Sequence, residues 1–339
     1  MPAALRWLSD LVPTNPIVLR LVAGAGRRKR DLAVRGATLG VLMLLVVLGL
    51  LGQGGTLKDM AQRGAGAFTL ISYAQVAAIC LLTPLFMAGA IAQESNPRTW
   101  EVMLTTPLSS AQIVLGNLMG RLFFAIALLV ATLPLCLATR IFGGVRGSSI
   151  FAGLTVSLCT ALFLGSVAVM LSVTRSAGKR GVFAFYAATV LTLFATAAAD
   201  VALRVPVAVG SDAVHTTWVT PLNPFLALRS ELDSNAYRPW ELTPGESTAL
   251  QRQWLGNPLG VMAIGSLLAS GALLGMATLR VRLVGSRAEA STGRLSRMLR
   301  RVNKAGERVP RRVWNNPVAW REASLRLSAP AARLARWTL

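Results

Sequence analysis

QESNPRTWEVMLTTPLSSAQIVLGNLMGR, residues 93–121, is a polar stretch set between two long apolar runs, 67–92 and 122–139. Each run is long enough to cross a bilayer as a helix, which takes about 17–25 apolar residues. The stretch itself carries Glu94, Arg98, Trp100 and Glu101, then Thr105 and Thr106 ahead of Pro107. Its reading is two short amphipathic helices broken at Pro107, lying at the membrane surface and offering charged and aromatic groups to a soluble partner.

Further apolar runs lie at 33–52, 150–173, 182–199 and 259–279, which makes six expected spans. The first is the shortest in effect, its uninterrupted apolar part running only from 37 to 52. Of the 339 residues, 53% are hydrophobic and 14% charged, with a mean hydropathy of +0.54. That balance excludes a soluble domain, whose surface needs more polar residues. The spans must be helices, because lipid offers a backbone no hydrogen-bond partners and the alternation of barrel strands is absent. Arg27-Arg28-Lys29-Arg30 ahead of the first run suits a retained span better than a cleaved leader. Phe142-Gly143-Gly144 reads as a tight turn between the third and fourth spans.

The formal net charge is +21, and most of the 35 Lys and Arg fall in alternate connections. These are the segments before the first span, after the second, after the fourth and above all after the sixth. The positive-inside rule then predicts that both termini are cytoplasmic. A basic chain also fits nucleic acid, but tail arginines beside a membrane are better used on anionic headgroups, at about 1 kcal/mol each. Arg294, Arg297, Arg300 and Arg301 alternate with Leu295, Met298, Leu299 and Val302 at helical spacing. They predict a helix on the inner leaflet with its arginines as lipid headgroup contacts, and no nucleic-acid partner is expected.

Residues for chemistry are sparse. Cys80, Cys136 and Cys159 lie inside expected spans, without metal-ligand spacing. His215 is the single histidine, reads as polar loop surface, and has no nucleophile or ligand set beside it in sequence. Asp200, at the end of the fifth run, is expected to be a solvated cap. No G-x-x-x-x-G-K-[ST] phosphate loop occurs. No catalytic, cofactor or metal site is therefore expected, and energy for any work must come from a partner.

Glu94, Thr99, Trp100, Glu101, Leu104, Thr106, Pro107 and Leu108, followed by Val114-Leu115-Gly116 and Gly120, resemble the cytoplasmic segment after the second span of ABC-2 type ABC transporter permeases. The sequence departs from that pattern at Ser95, where a basic residue often follows the first acid, and at Asn117, where Lys is common. The resemblance implies an all-α integral membrane protein of six transmembrane helices with cytoplasmic interfacial helices, ABC-2 exporter-like. It implies that Glu94, Arg98, Thr99, Trp100, Glu101 and Pro107 couple to a separate ABC ATPase subunit that holds the ATP and Mg. It also implies a second permease unit, identical or different, in the inner (cytoplasmic) membrane of a bacterium.

The expected organisation is an N-terminal cytoplasmic interfacial helix at 1–36, a six-helix transmembrane domain at 37–279, and a basic cytoplasmic tail at 280–339. The transmembrane domain includes the coupling segment 93–121 and an extracytoplasmic loop at 205–258, where ABC-2 permeases have re-entrant or interfacial helices. Asn15, Pro16 and Arg20 mark the N-terminal helix. In ABC-2 permeases such a helix abuts the ATPase; from the residues alone it reads equally as a membrane-surface anchor. Asn316-Pro317-Val318-Ala319-Trp320-Arg321 echoes Asn15-Pro16-Ile17-Val18-Leu19-Arg20, as the possible start of a second repeat or its vestige. The alternative function is a non-transporting membrane scaffold that anchors a soluble partner through the basic tail. The apolar spans suit an apolar or amphipathic cargo, and equally a closed, lipid-packed bundle.

Overall fold

The computed structural model describes residues 15–25, 29–51, 56–94, 108–173, 179–208, 211–242 and 247–302, with the backbone alone at 24–25, 29–31, 88–94, 179–181 and 282–302. The chain forms two units, Met1–Ala288 and Glu289–Leu339, and residues 289–302 of the second are helical.

The described helices are α1 (Pro16–Ala25), α2 (Lys29–Leu50), α3 (Leu57–Glu94), α4 (Ser110–Ile141), α5 (Gly147–Val173), α6 (Lys179–Leu203), α7 (Pro224–Leu232), α8 (Ala249–Gly256) and α9 (Pro258–Val302). Six contain stretches long and apolar enough to cross a membrane: Leu32–Leu50, Leu57–Met87, Ser110–Ile141, Gly147–Val173, Val182–Leu203 and Pro258–Val281. This is the architecture of an all-α, multi-pass membrane protein, with the six spans where the apolar runs placed them.

Several helices outrun those apolar runs. α3 begins ten residues early because Thr56 accepts the Asp59 amide at 3.2 Å. α4 begins at Ser110, just after the break expected at Pro107, because Ser109 and Gln112 form a capping box, and it runs on without interruption into the third span. Asn-Pro opens three helices in the same way, the Asn side chain accepting an amide of the first turn and the Pro taking a position that needs no N–H. Asn15 accepts from Ile17 at 3.0 Å, Asn223 from Phe225 at 2.9 Å and Asn257 from Gly260 at 3.0 Å. Asn316-Pro317 lies outside the described residues; the dipeptide is a general helix-start signal in this chain and does not by itself mark a repeat.

The core is made by α3, α4 and α5, whose spans are 56%, 44% and 67% buried, against 6%, 6% and 11% for those of α2, α6 and α9. Ile79, Leu118, Ala161 and Ala168 are fully buried at their seam. Ser72, Thr160 and Ser166 return their hydroxyls to carbonyls one turn back in their own helices, so these polar residues sit inside the bundle without orphaned donors. Gln75 Nε2 donates to Ser157 Oγ at 3.4 Å, joining α3 to α5. Pro84 loosens α3, and the nearby Leu81 carbonyl accepts from Tyr186 Oη of α6 at 3.0 Å. Between α4 and α5 the chain turns through Gly143 and Gly144 at φ +86° and +77°, a left-handed conformation that a side chain would strain.

The described residues of the long connection from α6 to α9 carry regular structure. β1 (Val214–His215) pairs in parallel with β2 (Tyr237–Arg238), Val214 opposite Tyr237. α7 inserts against the bundle, with Leu228 clustered with Val76 of α3 and Val156 of α5.

Candidate functional site

The N-terminal helix and the start of α4, which the sequence singled out separately, are one assembly. Asn15 is fully buried. Its Oδ1 caps α1, while its Nδ2 donates to the Gln112 carbonyl at 2.8 Å. Glycines make room for this. A Cβ at Gly116 would stand 2.8 Å from Asn15 Nδ2, and one at Gly120 would stand 2.7 Å from Leu21 Cδ1. Two glycines four apart on one helix face let a neighbouring helix approach closely. α1 therefore lies in a groove that Gly116 and Gly120 open on α4. Its outward side carries Pro16, Leu19, Arg20 and Ala23, all exposed and at helical spacing, so Arg20 is available to a partner.

The expected surface segment 93–121 divides in the structure. Gln93 and Glu94 are the last residues of α3, and 108–121 are the cap and first turns of α4. Arg98, Thr99, Trp100, Glu101 and Pro107 lie outside the described residues, and of Glu94 only the backbone is described. Val114, Leu118 and Arg121 face inward, so this part of the segment is bundle wall as well as surface.

The two helices flanking 95–107 are fastened together at Phe86 and Arg121. Arg121 Nη1 of α4 donates to the Phe86 carbonyl of α3 at 3.3 Å. Phe86 and Phe124 lie 5.7 Å apart between ring centroids, and the Arg35 guanidinium of α2 sits 4.2 Å over the Phe124 ring. A cation over an aromatic face contributes about 0.5–2 kcal/mol, more as water is excluded. Sequence reading missed Arg35 and Arg121 as a pair; an arginine inside an apolar run was the available signal.

A second polar cluster lies at the other end of α6, and it corrects the reading of Asp200 as a solvated cap. Asp200 is fully buried. Its Oδ2 accepts from Arg204 Nε at 3.0 Å and Nη2 at 2.9 Å, and its Oδ1 from Thr217 Oγ1 at 2.7 Å and Tyr237 Oη at 2.6 Å. Four donors replace the water that burial removed. Tyr237 also meets Thr220 Oγ1 at 2.5 Å, and its phenol is pushed up to about 12 by burial and by the Asp200 carboxylate it donates to. One turn back, Asn223 Nδ2 donates to the Leu193 carbonyl and to Thr196 Oγ1. One face of α6 thus grips the 216–237 segment at Leu193, Thr196 and Asp200.

His215, expected as loose polar surface, stacks on Trp240 at 4.1 Å between ring centroids. Two indoles of this segment donate to backbone: Trp240 to Thr216 O and Trp254 to Trp218 O, each at 2.8 Å. Arg294, Arg297, Arg300 and Arg301 are helical residues of the second unit, described by their backbone alone. Among the described residues no group of His, Cys, Asp and Glu could hold a metal ion. No family model and no curated protein matches the chain.

Proposed function

We propose that this chain is the transmembrane permease subunit of an ATP-driven exporter of the ABC-2 type, forming the translocation path and coupling to a separate ATPase. The observation that carries the reading is the placement of 95–107 between two fastened helices. The segment leaves the end of α3 and returns to the start of α4, where Asn15 ties α1 to Gln112, and Arg121 further along α4 ties it to Phe86 of α3. A push on such a segment is delivered to three helices at once. Mechanical coupling needs that stiffness, and the sequence adds the charged and aromatic residue types of Arg98, Trp100 and Glu101 to the segment.

In this reading the ATPase docks on 95–107 and on the exposed side of α1. ATP closure must bind one arrangement of these helices better than the other to switch access across the membrane. Both termini are cytoplasmic, the basic tail rests on anionic lipid of a bacterial inner membrane, and a second permease unit completes the path. ATP and Mg belong to the partner.

The test is co-purification of the chain in nanodiscs with a P-loop ATPase encoded beside it, with and without Trp100→Ala/Glu101→Ala. Bound ATPase and ATP turnover are measured. Loss of both in a folded double variant is the expected result. Binding that survives moves the interface to α1 or the tail, and absence of any ATPase partner favours a membrane scaffold that anchors a soluble protein.

A further inference from the structure

A cleft of about 510 Å³ separates α6 from α9. α6 contributes Thr189, Thr192 and Leu193, and α9 contributes Val261, Gly265 and Ala269, in each case one face of the helix. Phe163 of α5 stands in the wall between them, and Pro221, Leu222 and Trp254 of the connection cover one end. The two helices form no packed backbone seam with each other. Both are spans with few buried residues, so the cleft meets the surrounding hydrocarbon.

The lining makes no polar demand. Thr160, Thr189 and Thr192 donate to carbonyls four residues back, and Ser266 to one three residues back. Every hydroxyl in the wall is satisfied inside its own helix, and apart from the uncharged Cys80 thiol the remaining side chains are aliphatic or aromatic. Even an apolar cavity of about 150 Å³ stays dry and takes up hydrocarbon. This cleft is several times larger, within the range of a single small-molecule site. Water finds nothing to bond there, and the wall has no charge for an ionic group. What it can accept, and what its open side touches, is alkyl chain.

We propose that the cleft binds one acyl chain of a membrane lipid, drawn from the leaflet on the side of the 204–257 connection. The chain fills the space that keeps α6 off α9. Because Asp200 ties α6 to the connection through Thr217 and Tyr237, wall and cover of the site move together. The proposal requires only that the chain spans a bilayer, and stands apart from the transport reading.

The test uses the full-length protein in vesicles of phospholipid carrying a photoactivatable diazirine in the acyl chain, with adducts mapped by mass spectrometry. Phe151, Phe183 and Val130 serve as references, being 71%, 75% and 63% exposed on spans. Adducts at 189–193 and 261–269 are expected to exceed those at the reference residues several-fold. Gly265→Phe should remove the cleft adducts and keep the reference ones, since a Cβ at Gly265 meets nothing within 4 Å. If Gly265→Phe loses the reference adducts as well, Ala269→Leu takes its place as the filled variant. Adducts spread evenly over cleft and reference residues overturn the proposal. So do cleft adducts that persist in the filled variant, or a second copy of the chain captured in the cleft instead of lipid.

Discussion

Asn15 donates its side-chain amide to the backbone carbonyl of Gln112 at 2.8 Å, across 97 positions of sequence. The contact joins a residue ahead of the first span to the first turn of the third. It explains why Gly116 and Gly120 are glycines, since any Cβ there would collide with Asn15 or Leu21. The start of α4 is therefore a surface built jointly by α1 and α4.

Replacing Asn15 by Ala removes both the cap on α1 and the bond to Gln112. The expected cost is about 1–3 kcal/mol of docking free energy, enough to release α1 for a fraction of the time. Tryptic cleavage after Arg20 in nanodisc-held protein should accelerate in the variant. Equal cleavage rates would mean that Leu21 and the glycine groove hold α1 without Asn15.

Arg121→Met keeps much of the aliphatic volume but leaves the Phe86 carbonyl without its arginine donor. A loss of about 1–3 kcal/mol is expected, seen as a lower midpoint when the detergent-solubilised protein is heated and assayed by size exclusion. Arg121→Lys should recover part of it. A midpoint unchanged in the Met variant would show that α3 and α4 are held by apolar packing alone.

Tyr237 carries a pH signature. Its phenol is raised to about 12 in the folded protein, above the ordinary value of about 10. The folded state thus keeps a proton that the unfolded state releases first. The stabilisation is complete below about pH 10 and is lost as pH rises toward 12. Tyr237→Phe should flatten that fall while lowering stability at neutral pH, because Asp200 loses a donor. Chemical unfolding at a series of alkaline pH values measures it; parallel curves for wild type and variant would remove Tyr237 as the cause.

Cys136 and Cys159 are buried and Cys80 borders the α6–α9 cleft. A membrane-impermeant maleimide should label none of the three in sealed vesicles or open membrane sheets, and all three after denaturation. Rapid labelling of Cys80 before denaturation would make the cleft aqueous.

Six crossings place Arg20 on one side of the membrane and both Lys58 and Asp212 on the other, one span lying between Arg20 and Lys58 and four more between Lys58 and Asp212. All three are exposed. Cysteines substituted singly at these positions should react with an impermeant reagent from opposite faces in that grouping. Reaction of Arg20→Cys and Asp212→Cys from the same face would require a different number of crossings.

The places where sequence reading succeeded and failed differ in kind. The extent of hydrocarbon crossing was legible at every span, yet the start of α3 at 57 was missed, and the short helix expected after Pro107 is the first turns of α4, because hydropathy reports burial in lipid and says little about caps. The caps were written locally, in Thr56 and in Ser109 with Gln112. Asp200 was misjudged for another reason. An acid at the end of an apolar run looks solvated until its donors are known, and Thr217 and Tyr237 lie 17 and 37 residues further on.

The number of spans, their helical nature and their charge asymmetry are properties of contiguous residues, and lipid acts on each segment alone. They followed from the sequence by itself. The groove that holds α1, the arginine at Phe86, the buried Asp200 and the cleft between α6 and α9 required the tertiary structure. Each depends on which helix faces come together, and in a bundle that choice rests on side chains distant in sequence that meet only after the spans have packed.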